Sequence, residues 1–466
     1  MVMKRFFTYD MLYVEYPSRA NINHWNYTNL TLENGQSVKL LTNYINTSIN
    51  DFDVPNEDTL LNDATSATYQ YNSPFHNHRY IKKVDLMDVP FRNQSMCAAF
   101  RYCQNLQSIT NMNSQVTNMA MTFYGCYNFN QPITISNSSI SSFRDMFKGC
   151  TNFNSTFNIP VEEYNKGSVS SLDLSGLFDG CTNYNIPFII PSCTNSISNM
   201  FRGLKYYNYP VTLPNGLSYA YGLEGLFENT GAYNHPFIVP THITNLYLAN
   251  LFRGSESYNC PITIPDNVNN IHNMFANSNY NCVFNIPNRN NINICNLFSG
   301  SNYNQPIIVP ANININNYSG IISGCTKFNQ PITFETEYTV SCVNTFRNCH
   351  VFNQKVKFPI MANNSVNTDI YYSYKGNFRD VFTDCYAYNQ PTNIPEGVIK
   401  ISNAFVNCTN FNSAITIPNT VKNIIKLTYV PLNVNVEIEL VDLWGNEISK
   451  NDSFVTLKDI NKIYPN

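Results

Sequence analysis

A nine-residue phrase recurs along this chain, and it limits the fold more than any other feature. MFKGCTNFN at 146–154 returns as LFDGCTNYN at 177–185 and as AFVNCTNFN at 404–412. With its phenylalanine as reference, copies fall at Phe100, Phe123, Phe147, Phe178, Phe201, Phe227, Phe252, Phe275, Phe298, Phe346, Phe382 and Phe405, and Ile322 stands in once. That makes thirteen copies, mostly 22–26 residues apart. Five or six residues after each reference comes an aromatic followed by Asn, as in Phe129-Asn130, Tyr233-Asn234 and Phe328-Asn329; Leu106 takes that place in the first copy. A short apolar alternation ending in proline follows, such as PFIVP at 236–240, PITIP at 261–265 and PIIVP at 306–310.

Each part of the phrase has a physical reading. Alternation of the Ile-Thr-Ile kind places two apolar side chains on one face of a short strand. The leading proline sits where a strand can lack its first N–H, and the trailing proline stops the strand. Two residues after the reference stands Gly, Asn or Asp in every copy but the first, where Tyr102 intervenes. Those residue types tolerate positive φ, so one left-handed turn per copy is expected at the same corner.

A unit of this size with one short strand cannot bury its apolar side alone, whereas stacked units can. The chain therefore reads as mainly β, a parallel β-solenoid of about thirteen coils. At about 4.8 Å per coil the stack would be roughly 60 Å long. Its repeated asparagines would fall in register and bond coil to coil as ladders.

Three stretches carry a family resemblance: NMFRG with YYNYPVTLP at 199–214, FNQPIT, and ITIPDNVNNIHNMF at 262–275. They resemble the leucine-rich-repeat-like units of BspA-type surface proteins and of a mycoplasma family of unknown function. FNIP, at 157–160 and 284–287, resembles the FNIP repeats of amoebae and giant viruses. The resemblance spans about 96–424. It implies a leucine-rich-repeat-like solenoid, and it implies adhesins, surface antigens or scaffolds as the functional classes.

The chemistry-bearing residues fit that picture. Eight of the fourteen cysteines fall three residues after the reference: Cys103, Cys126, Cys150, Cys181, Cys325, Cys349, Cys385 and Cys408. Ser, Thr or Leu fill that place elsewhere, so it reads as a packing slot holding free thiols. No C-x-x-C pair occurs, which leaves zinc without support. The histidines are scattered, and the HNH at 76–78 reads as a surface loop. His235 and His242 are expected at opposite ends of a strand. No nucleotide-binding, metalloprotease or serine-hydrolase motif is present, and no carboxylate pair suggests a glycosidase. The expectation is a non-enzymatic protein with no cofactor and no metal.

Two copies are long, and solenoid insertions commonly build binding surfaces. VEEYNKGSVSS at 161–171 offers Glu162, Glu163 and Tyr164; the stretch 360–377 offers Tyr371, Tyr372, Tyr374 and Lys375. Both follow the slot of the strand-ending proline, so both are expected at one edge of the stack.

Outside the repeat, 1–95 reads as a capping or anchoring segment with an acidic stretch at 50–63. Residues 96–424 form the solenoid. Residues 425–466 read as a small β module or cap, with strands near 432–440 and 453–457.

A net charge of −3 with 13% charged residues gives no basic footprint for nucleic acid. No run of about 20 apolar residues suggests a membrane span. Asp10 and Glu15 interrupt what would be the apolar run of a signal peptide. A surface-type repeat with free thiols and no export signal points to a virion component of the phage tail or fibre type. It would be made in the host cytoplasm and belong to an oligomeric assembly. Its partners would be other virion proteins or a host-surface protein or glycan. The alternatives are a bacterial cell-surface adhesin and a cytoplasmic interaction scaffold.

Overall fold

A computed structural model describes residues 3–6, 13–16, 25–32, 35, 37–44, 81–86, 95–425 and 438–441, apart from 33–34, 113, 290–291, 313–318, 340–341, 362–375, 419 and 422. The chain divides into two compact units, 1–233 and 234–466. Each is a stack of the coils read from the sequence. Six reference positions lie in the first unit and seven in the second, so the fold is a parallel β-solenoid of about thirteen coils.

Within each unit the reference side chains form a column of stacked rings. Successive centroids lie 5.7 Å apart for Phe100–Phe123, 5.6 Å for Phe123–Phe147, and 5.7 Å for Phe275–Phe298. A second column comes from the aromatic that precedes Asn, as in Phe129–Phe153 at 6.2 Å and Tyr280–Tyr303 at 6.3 Å. Where a coil has both rings, the columns lean on each other, with Phe147–Phe153 at 4.2 Å and Phe298–Tyr303 at 3.8 Å. These rings are fully buried. Burying one Phe is worth about 1.5–3 kcal/mol, so the columns dominate the core energetics.

The expected left-handed residue stands two places after the reference in all thirteen coils, with φ from 55° to 77°, Tyr102 included. A second one stands two places before it, with φ from 50° to 64°, from Ala98 and Met121 through to Asn403. Flanked in this way, the corner bonds strongly between coils. Gly176 N–H donates to Ser198 O at 2.8 Å, Phe178 to Met200 O at 3.2 Å, and Gly180 to Arg202 O at 2.8 Å. The intervening amides donate inside their own coil, as Asp179 does to Gly176 O and Cys181 to Phe178 O. The backbone is thus satisfied by alternation, coil to coil and then within the coil.

The Ile-Thr-Ile segments keep the expected burial alternation. Phe237 and Val239 are buried while Ile238 is 84% exposed. They form parallel ladders only in places: Ile133–Thr134 with Phe157–Asn158, Ile307–Val309 with Ile332–Phe334, and Thr392–Asn393 with Ile415–Pro418. Between His235 and His242 the structure assigns no strand. A further set of short parallel strands lies just ahead of the reference, pairing Leu172–Asp173 with Thr194–Ser196 and Asn377–Arg379 with Lys400–Ser402.

At the N-terminal side, β1 (Met3–Phe6) and β2 (Tyr13–Tyr16) pair antiparallel. β3 (Trp25–Leu32) pairs antiparallel with β4 (Ser37–Tyr44) and with β5 (Ile81–Asp85). β5 then pairs parallel with β6 (Ser108–Thr110) of the first coil. The antiparallel sheet thus continues into the edge of the first coil. At the other end, Ile438–Val441 pairs parallel with Ile415–Pro418 and adds one more rung. The acidic stretch, the HNH and the expected strand at 453–457 lie outside the described residues.

Candidate functional site

The repeated polar side chains face the neighbouring coil. The thiol of Cys126 donates to Phe100 O at 3.0 Å, that of Cys150 to Phe123 O at 3.0 Å, and that of Cys349 to Ile322 O at 3.1 Å. The cysteine three places after the reference therefore bonds the previous coil's reference carbonyl. Burial pushes Cys325 and Cys408 up to about 12. A thiol held protonated in this way is neither a nucleophile nor a metal ligand. Among the described residues no group of three or more His, Cys, Asp or Glu is placed to hold a metal ion.

Cys260 and Cys282 differ, being half-buried and at the same register of adjacent coils, one residue after Asn259 and Asn281. Their thiols contact the carbonyls of Asn234 and Asn259 at 3.6 and 3.1 Å, and burial raises both.

The asparagine after each buried aromatic forms the expected ladder. Asn154 N–H donates to Asn130 Oδ1 at 2.8 Å, Asn185 to Asn154 at 3.0 Å, and Asn281 to Asn259 at 2.8 Å. One residue before that aromatic runs a second, exposed ladder, made side chain to side chain. Asn128 Nδ2 donates to Asn105 Oδ1 at 2.8 Å, Asn152 to Asn128 at 2.9 Å, and Asn183 to Asn152 at 3.5 Å. The two ladders border an open groove lined by Gln107, Asn128, Asn130, Asn152 and Asn183. The sequence reading anticipated asparagine ladders without separating these two columns. The recurring Asn-aromatic-Asn triplet was the signal for both.

Charged side chains concentrate at the corner of the first unit. Lys148 Nζ lies 3.3 Å from both Asp145 Oδ1 and Asp179 Oδ2. Arg202 Nε lies 2.8 Å from Asp179 Oδ1, and its Nη1 is 3.8 Å from Glu228 Oε2. Burial acts to lower Lys148, yet Asp145 and Asp179 outweigh it and hold the ammonium above its usual range. Burial raises Asp145 in spite of Lys148. The network ties coils together, and each of its cations already faces a carboxylate.

The first insertion begins with a helical turn. Val161–Asn165 is a short helix, α1, which starts behind Pro160 with Glu162 and Glu163 in its first turn. Carboxylates there favour the helix N-terminus. Both are exposed, and Glu163 pairs with Lys166 at 2.7 Å. Tyr164 is a correction: it points inward, fully buried, and its hydroxyl donates to Ile140 O at 2.9 Å. An amphipathic turn behind a proline turns its one aromatic to the core, so Tyr164 anchors the insertion and is not a contact residue. Tyr371, Tyr372, Tyr374 and Lys375 lie outside the described residues. In its own unit each insertion falls between the proline-ended segment and the short strand ahead of the next reference.

Residues 94–212, 223–358 and 292–417 match the family model described as Mycoplasma protein of unknown function, DUF285. The chain belongs to this family. Two of the matched DUF285 stretches overlap, as a periodic sequence permits. Among solved structures, a leucine-rich repeat protein from Bacteroides ovatus ATCC 8483 is similar at 14% identity. The match covers 91% of this chain and 89% of that one, with a TM-score of 0.33, too loose a superposition to bear on function. No curated protein matches. Among the described residues no helix is long and apolar enough to cross a membrane. The family description names no activity, and a repeat solenoid is an architecture that builds extended binding surfaces.

Proposed function

We infer that the chain is a recognition scaffold displayed at a cell surface, binding a protein or glycan through its outward positions and insertions. One observation carries this reading. The recurring reference phenylalanines, the asparagine after each buried aromatic and the cysteines of eight coils serve coil-to-coil packing and hydrogen bonding, which leaves recognition to the remaining outward side chains and the insertions. The resemblance to BspA-type surface proteins and membership of the mycoplasma family favour the surface setting. Glu162 and Glu163 on α1, with Tyr371, Tyr372, Tyr374 and Lys375 in the second insertion, are the proposed contacts. Exposed tyrosines supply large contact area at low entropic cost.

The experiment is protease shaving of intact cells followed by peptide mass spectrometry, with adhesion assayed before and after deletion of 360–377. Released peptides and lost adhesion are expected. A chain retained wholly inside the cell overturns the surface setting.

A virion component is the second reading. Fourteen free cysteines favour it, because a protein matured in a reducing cytoplasm keeps such thiols. Stoichiometric copies of the chain in purified particles would place it there.

A further inference from the structure

We propose that the amide groove of the first unit binds a neutral, extended β-linked glycan. This rests on reading the chain as a recognition scaffold, but it assigns the ligand to a site other than the insertions. The argument starts from hydrogen-bond capacity. An Asn side chain has two N–H donors and two acceptor lone pairs. In the exposed ladder Asn128 and Asn152 each donate one N–H to the preceding coil and accept one from the next. Each therefore keeps one N–H and one lone pair for a ligand, and the ladder fixes the direction in which they point. That is pre-organisation, which lowers the ordering cost of binding.

The groove lining then selects the ligand. Gln107, Asn128, Asn130, Asn152 and Asn183 are all amides. No cation lines the groove to hold a phosphate or sulfate, and no carboxylate lines it to hold an amine. A neutral ligand rich in hydroxyl groups matches the lining, since each hydroxyl both donates and accepts.

Spacing narrows the choice further. Donor–acceptor pairs recur once per coil, at about 4.8 Å. Groups on one side of an extended peptide recur at about 6.6 Å, so a peptide falls out of step within two coils. One sugar of an extended β-1,4-linked glycan spans roughly one coil, and because successive sugars are flipped, groups on one side return at about every second coil and stay close to step with the ladder. Tyr127, the residue before Asn128, is 43% exposed, and in the proposed complex its ring lies against the apolar side of a sugar at the groove's margin. Its carbonyl is occupied, accepting from Asn152 N–H at 3.0 Å, so the backbone beneath that ring is fixed.

The test uses the full chain and three hexasaccharides: cellohexaose, chitohexaose and, as the helical control, the α-1,4-linked maltohexaose. Binding is followed by titration calorimetry or by ligand-detected NMR. The wild type is expected to bind at least one β-1,4-linked hexaose with Kd on the order of 0.1–1 mM, and maltohexaose at least tenfold more weakly. Asn152→Asp removes the N–H that reaches Asn128 and puts a charge into the groove; at least a tenfold loss is expected. Tyr127→Ala and Gln107→Ala alter exposed side chains and should each weaken binding severalfold with unchanged melting temperature, so the test stands even if Asn152→Asp unfolds. Three results overturn the proposal: no binding of either β-linked hexaose at about 10 mM, equal binding of maltohexaose, or binding indifferent to Tyr127→Ala and Gln107→Ala. Adhesion that survives when the groove fails leaves the scaffold reading standing, whereas sugar binding by a chain never displayed outside the cell sinks the surface setting alone.

Discussion

Two parts of the coil hold the stack together in different ways. At the corner, residues two before and two after the reference are left-handed in every coil, and alternate amides bond to the next coil along most of each unit. In the Ile-Thr-Ile segment, side-chain alternation persists, while ladder pairing comes and goes. The part of the sequence that most resembles a strand is therefore the weaker seam in backbone terms. The part that reads as a turn is the stronger one. Hydrogen bonding between coils needs aligned N–H and C=O groups, and those can come from stacked turns as well as from strands.

The largest expected effect probes the ring columns at that corner. Phe147→Ala should cost about 3–5 kcal/mol, because the ring leaves a cavity bordered by both aromatic columns. An outward strand position such as Thr134→Ala should stay within about 0.5 kcal/mol. Denaturant unfolding monitored by circular dichroism measures both, and equal costs would remove the distinction.

Next comes the backbone of the corner. Gly180 has φ +74°, and a Cβ there would meet Gly149 Cα at 3.5 Å. That distance is ordinary contact, so the cost of Gly180→Val comes from a β-branched residue held left-handed and should be about 2 kcal/mol or more. Gly180→Asn, a residue type already used at the equivalent Asn229 and Asn277, should cost less than half as much. If the two variants melt together, conformational freedom is not what glycine supplies.

Amide exchange sharpens the comparison inside one coil. The Phe178 amide, bonded to Met200 O at 3.2 Å, should exchange more slowly than that of Ile189, which stands in a stretch without a ladder. Thiol labelling makes the parallel point for side chains. Cys260 and Cys282 should react with Ellman's reagent in the native state, and Cys126, Cys150 and Cys349 only on unfolding. Rapid labelling of all fourteen would contradict the packing slot.

The smallest effect is electrostatic. Burial, with Arg253 adding to it, depresses His272 below 6.5. The folded state thus binds fewer protons at this site than the unfolded state. Its contribution is retained above pH 6.5 and lost as the pH falls toward the depressed value. Melting temperature should decline over that interval, and His272→Gln should flatten the decline.

Much of this was legible in the residues, for identifiable reasons. Gly, Asn and Asp announce positive φ, so the turn after the reference could be read directly. The turn before it carried the same signal in Asp145, Gly176, Asn199, Gly225, Asn250, Asn273, Asn296, Gly320, Asn344, Asp380 and Asn403, and was not read from it. The cysteine slot was legible because Ser255, Ser278, Ser301 and Thr230 share it. Tyr164 was not legible: its local surroundings are polar, and only the coil beneath it supplies the Ile140 carbonyl and the cavity that take it in.

The sequence alone determined the period, the aromatic columns, the asparagine ladder and the thiol slot, because each is a residue type repeated at a position with one physical use. Tertiary structure decided what depends on the neighbouring coil. It holds Ala98, Tyr102 and Met121 left-handed against their own preference, gives the turns the backbone bonding that the strands lack in places, and opens the amide groove. The reason is that a coil's amides and carbonyls find their partners one whole repeat away along the chain, as Gly176 N–H does at Ser198 O, a distance over which local preference has no say.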